Sequence, residues 1–209
     1  MVKKECQGKT LKWIASVGYA GFITCYIVAA VQYPGGSDFH VNSSGFSVLE
    51  NYWCELLSDY SKNGNHNNAQ PYAFAALVFM NLALVTSWMY IGGTRTILEN
   101  TDSKLIISGI LSTVCTNFVN TKMHDVSIAL SIGFGCFSIV RLIKNYPKNR
   151  KFFVGMGYLN LFLILINCLL YYFSFGLHML PLIQKITFLS VLVWLSLNLH
   201  YKTISNSLL

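Results

Sequence analysis

Long apolar runs separated by short basic or turn-forming connectors restrict this chain to one class of fold. The runs lie roughly at 11–33, 71–91, 105–119, 125–143, 152–175 and 182–199. About 20 mostly apolar residues are needed to cross the hydrocarbon core of a bilayer. Backbone polar groups within lipid have no water to bond, so each crossing segment must be helical. Composition agrees: only 11% of residues are charged, against about 25% in a soluble domain. The expected fold is all-α, a polytopic transmembrane bundle of six helices forming a single domain over residues 1–209. The third run is short and carries Ser108, Ser112, Thr113, Thr116 and Asn117. It must be shielded by its neighbours or span incompletely.

The formal charge of +7 does not point to nucleic acid, because the basic residues are spread between apolar runs and no nucleic-acid motif accompanies them. Their distribution instead follows the helix alternation. Lys3, Lys4, Lys9, Lys12, Arg95, Lys104, Arg141, Lys144, Lys148, Arg150, Lys151 and Lys202 fall on one side, and only Lys62, Lys122 and Lys185 on the other. The positive-inside rule then places both termini in the cytoplasm. The first apolar run is too long for the hydrophobic stretch of a signal peptide and is expected to be a retained membrane helix. Cys6, Cys25, Cys54, Cys115, Cys136 and Cys168 match no zinc or redox spacing.

The long first outer loop, about 36–70, concentrates the chemistry. Read as a helix over Val48–Tyr60, it stacks Asn51, Glu55 and Asp59 on one face, with Lys62 within reach. Leu49, Trp53, Leu56, Leu57 and Tyr60 fall largely on the other. The pattern predicts an amphipathic segment at the membrane interface, and amphipathicity alone accounts for it without any chemistry. His40, His66, His124 and His178 lie on the same side of the membrane as Asp38, Glu50, Glu55, Asp59 and Asp125. Such a face has groups for acid–base work or for a metal such as zinc, although no two histidines have the spacing of a helix-borne ligand pair. The candidate catalytic residues are Glu55, Asp59, His124 and Asp125, with the Val48–Tyr60 segment facing the start of the fourth helix and Asn81 or Asn117 in the floor of a cavity between them. At His124-Asp125 the plainer reading is a helix start whose acid faces the dipole. Asn160 and Asn167 share a face and are expected to join helices. Gly18 and Gly21, and Gly133 and Gly135, allow close helix contact.

The run Glu50-Asn51-Tyr52-Trp53-Cys54-Glu55-Leu56-Leu57, followed by Asn63-Gly64, Asn67 and a helix opened by Pro71, resembles the first outer loop of an uncharacterised bacterial six-helix integral membrane family that is FRAG/DRAM-like in helix count and loop length. That resemblance implies a bacterial inner-membrane protein and carries no activity with it. The triplet Trp53-Cys54-Glu55 is also similar to one in alkaline ceramidases, which are multi-pass zinc hydrolases with seven helices; the paired histidines of their late span have no counterpart here. Two functions follow as expectations. One is an integral membrane protein that binds lipid or a partner at its outer interface. The other is a membrane-embedded hydrolase, metal-dependent if zinc is held, in which a carboxylate or metal-bound hydroxide attacks an ester or amide of a lipid head group.

Overall fold

The computed structural model describes residues 2–93, 98, 101–174 and 176–200, with side chains from residue 8 onward. Among the described residues there are six α-helices and no β-strand: α1 (Val2–Gln32), α2 (Gln70–Gly93), α3 (Ser103–Cys115), α4 (His124–Asn145), α5 (Lys151–Phe173) and α6 (Leu180–His200). Five of them, all but α3, are long and apolar enough to cross a membrane. At 1.5 Å per residue, the 13 residues of α3 extend only about 20 Å. Arg95 and Lys202 lie outside the described residues.

Local chemistry sets the helix ends. Pro71 occupies the first turn of α2, where its missing N–H costs nothing. Asp102 caps α3 by accepting from the Leu105 N–H at 3.1 Å. Pro147 follows the end of α4. After α5 the backbone turns through left-handed conformations at Ser174 and Gly176, which terminates the helix.

The helices pack by small residues and by polar pairs. α1 and α2 make the most extensive contact. A Cβ on Gly18 would lie 2.8 Å from the Ala83 backbone nitrogen, and one on Gly21 would meet the Phe79 ring at 2.6 Å. Gly135 packs similarly on Ser112, but nothing lies within 4 Å of a Cβ on Gly133, so that glycine makes no close helix contact among the described residues. The polar stripe of α3 is shielded by α4. Ser108 and Ser138 share a hydrogen bond of 2.6 Å, and Ser112 and Ser131 each donate to the other's carbonyl, at 2.8 and 3.0 Å. Asn160 accepts from Ser190 at 2.6 Å and Asn167 donates to Thr187 at 2.6 Å, joining α5 to α6 as expected of amides on one face.

At the end opposite the 36–70 loop, the fully buried Trp194 donates to the Phe153 carbonyl. The Tyr146 hydroxyl donates to Asn198 there. Asp102 is buried beside Arg141 (2.8 Å) and accepts from Asn145 at 2.6 Å. Burial works against its charge, but the Arg141 guanidinium and the Leu105 N–H hold its carboxyl below the usual range. Large apolar side chains such as Trp13, Val31, Val78, Phe162 and Phe173 point outward along the helices. An apolar exterior of this extent marks a surface that meets something other than water.

Candidate functional site

The 36–70 loop folds over the ends of the helices and is held by buried side-chain amides. Asn51 is fully buried. Its Nδ2 donates to the Gly36 carbonyl (2.7 Å) and to Glu55 Oε2 (2.6 Å), while its Oδ1 accepts from the Ser47 N–H (2.7 Å). Asn67, also fully buried, donates to the carbonyls of Glu55 (3.3 Å), Leu56 (3.1 Å) and Ser58 (2.8 Å) and accepts from the Ala69 N–H (3.1 Å). Gln70 and Asn120 both donate to the Leu57 carbonyl. Lys185 of α6, itself buried, donates to the Asn51 and Pro181 carbonyls and lies 5.5 Å from the centre of the Phe46 ring. These bonds replace a strand ladder or helix as partners for the loop's backbone, which must be paired once buried.

The expected helix over Val48–Tyr60 is therefore corrected to one short 3-10 turn, Trp53–Leu57. No side chain caps its start, and Ser58 is already extended at φ −76 and ψ 151. Side-chain amides compete for the carbonyls that a longer helix would use. With the helical phase broken after Leu57, Glu55 and Asp59 no longer share a face. Glu55 is buried, with Oε1 3.8 Å from Lys62 Nζ and without a hydrogen bond among the described residues. Burial pushes its carboxyl up, against the pull of Asn51 and Lys62. Asp59 is exposed and accepts from Gln70 Nε2 at 2.6 Å. Trp53, Leu56 and Leu57 turn inward as expected, whereas Leu49 and Tyr60 are exposed.

His40 and His66 are both exposed on the loop. His66 Nδ1 lies 3.4 Å from Asn68 Oδ1, whereas His40 Nδ1 lies 2.9 Å from Glu50 Oε1, and Ser37 donates to Oε2 at 2.7 Å. The His40 bond, then that from Ser37, hold the Glu50 carboxyl below its ordinary range. Lys62 bridges Asp38 at 2.5 Å; burial opposes its charge, but Asp38 keeps it above the usual lysine value.

Beneath the 3-10 turn lies a cavity of about 540 Å³ between α1, α2, α4, α5 and α6. Tyr52, Trp53, Cys54, Leu56 and Leu57 roof it, and Phe22, Ala76, Met80, Ile128, Ile132 and Phe188 form apolar walls. The space exists because α4 packs mainly on α3 and touches α5 less. The roof is anchored by Trp53, whose ring centre lies 4.6 Å from Phe188, 4.8 Å from Tyr26 and 5.5 Å from Phe22. Burial raises the Cys54 thiol, and burial with nearby Asp38 and Glu55 pushes the Tyr52 hydroxyl up to about 12.

His124 and Asp125 stand on the rim of this same cavity. His124 Nδ1 donates to Asp125 Oδ1 (2.9 Å), and the Tyr171 hydroxyl donates to the same oxygen (3.0 Å). So the start of α4 and part of the Val48–Tyr60 stretch do border one space. Glu55 and Asp59 are not in its lining, because one points into the loop's own amide network and the other into solvent. The four expected residues thus do not form one constellation. Asn81 and Asn117 are also absent from the lining and bond to each other at 2.7 Å; the polar groups of the wall are Asn167, Gln184 and Thr116.

Among the described residues no three of His, Cys, Asp and Glu converge to hold a metal ion, so the donors do not fit the zinc of the hydrolase alternative. Sequence reasoning missed Lys185, read only as a charge on the outer side, and Tyr171, whose single signal was an aromatic near the end of an apolar run. No family model, curated protein or solved structure matches the chain, and the cavity stands as its candidate site by geometry alone.

Proposed function

We propose that this is an integral membrane protein that crosses the bilayer with six helices, keeps both termini in the cytoplasm, and receives the apolar part of a lipid-like molecule beneath its outer loop. Five long apolar helices and an outward-facing apolar surface support insertion. For α3, the serine bonds to α4 supply the shielding that a short polar segment needs in lipid. The basic residues at the start of α5 and the end of α4 lie opposite the loop, which supports the orientation. The likeness of the loop to the bacterial six-helix family belongs to the same proposal.

One observation carries the binding function: a largely apolar cavity of about 540 Å³ under a firmly held roof. Ligand sites typically have about 300–1,000 Å³ of such space, with a few polar groups to orient the occupant. The test is native mass spectrometry of the full chain released from lipid nanodiscs. A retained lipid-sized adduct is expected, and Ile132→Trp, which fills the wall, should remove it without loss of fold. An adduct that survives Ile132→Trp, or none on the parent chain, refutes the reading. Orientation is tested separately by Asn65→Cys at the exposed loop tip. An impermeant maleimide should label it in intact cells, and labelling only after permeabilisation reverses the topology.

A further inference from the structure

The rim of the cavity has a chemical bias that its walls lack. Asp125 Oδ1 accepts from both His124 and Tyr171, while Oδ2 takes no hydrogen bond from any described residue, and the side chain is 76% exposed. The carboxylate is therefore oriented at one oxygen and open at the other. Tyr52, Tyr171 and Tyr172 line the same space. The rings of Tyr171 and Tyr172 stand nearly perpendicular, with centroids 5.4 Å apart. No lysine or arginine is in the lining. Lys185 is engaged by the Asn51 and Pro181 carbonyls, and Lys122 stays outside on the exposed hairpin.

Helix N-termini generally favour anions. At α4, Asp125 already occupies that position, so a phosphate or sulfate arriving there would meet a like charge. A cation meets an open carboxylate oxygen and tyrosine faces, a combination suited to ammonium groups. The space below, about 540 Å³ and mostly apolar, has room for one alkyl tail and falls short of a two-chained phospholipid.

We infer that the cavity selects a single-tailed amphiphile with a cationic head group, an alkylammonium, whose head rests between Asp125 and the rim tyrosines. This rests on the cavity being a ligand site, and the experiment separates the two. The full chain in nanodiscs is titrated with hexadecyltrimethylammonium, hexadecanol and hexadecyl sulfate, and binding is read as adducts by native mass spectrometry. The ammonium should bind about tenfold more tightly than the alcohol, as a screened ion pair plus cation–π contact allows, and the sulfate least. Asp125→Asn keeps the shape and should bring the ammonium-to-alcohol ratio close to one while hexadecanol binding, which reports an intact cavity, is kept. Ile132→Trp should abolish all three.

Equal binding of the three probes, abolished by Ile132→Trp, would leave the cavity reading standing and overturn the head-group assignment. Preference for the sulfate, or an ammonium preference that Asp125→Asn does not reduce, would overturn it too. Binding of none, or binding indifferent to Ile132→Trp, would remove both readings together.

Discussion

Asn67 tests whether side-chain amides are what hold the roof. Its Nδ2 serves three carbonyls and its Oδ1 one N–H. The Glu55 carbonyl has a second donor in the Ser58 N–H. The Leu56 carbonyl and the Ala69 N–H have no other partner among the described residues and sit on residues that are 1% and 0% exposed. In Asn67→Ala both become buried and unsatisfied, at about 1–3 kcal/mol each. The central expectation is a loss of about 4 kcal/mol, or roughly 8–16 °C in melting temperature for a chain of this size. Asn67→Asp is the discriminating control. It has nearly the same volume and can still accept from Ala69, but it presents oxygen to carbonyl oxygens. If donation matters, Asp destabilises at least as much as Ala. Melting is followed in detergent by tryptophan fluorescence, with limited proteolysis reporting cleavage in the loop. An Asn67→Asp protein that melts within a few degrees of the parent would refute the reasoning, because space-filling would then account for the residue.

Gly18→Leu should disrupt the α1–α2 contact, since its Cβ falls 2.8 Å from backbone that cannot yield. A loss of at least about 3 kcal/mol is expected by chemical denaturation, at the upper end of overpacking costs. Arg141→Met should cost about 2–3 kcal/mol by the same measurement, below the 3–5 of a fully buried pair because the arginine is partly exposed, and Asp102→Asn in that background should restore part of it. The Glu55 carboxyl is raised by burial, so its protonated form is favoured in the folded state. Its contribution is full below the ordinary carboxylate range of about 4 and is lost as pH rises from there through the folded pKa. Melting temperature plotted against pH for the parent minus Glu55→Gln should therefore fall across that window, and a difference that rises would reverse the assignment.

Helix number and placement were legible in the sequence because runs near 20 apolar residues leave a chain few alternatives. The third run was legible as an exception too: its serines, threonines and asparagine required shielding by neighbours or an incomplete span, and α3 is short and meets α4 through Ser108 and Ser112. That Asn160 and Asn167 join helices followed from residue type and spacing, and the structure shows α5 and α6 as the pair. These are short-range or one-face properties, and periodicity encodes them. Tertiary structure alone decided the loop. Asn51, Glu55 and Asp59 fit a helical face, but a helix there requires backbone carbonyls that Asn67, Gln70 and Asn120 reach from as far as 63 positions away. Their amides, together with Lys185 from α6, compete with the local helix and leave one turn. Glu55 turns inward to the neighbouring Asn51 amide, Asp59 turns outward to Gln70, and Tyr171 reaches Asp125 across 46 positions. A local pattern has no term for partners supplied by distant segments, and the cavity rim is built from such partners.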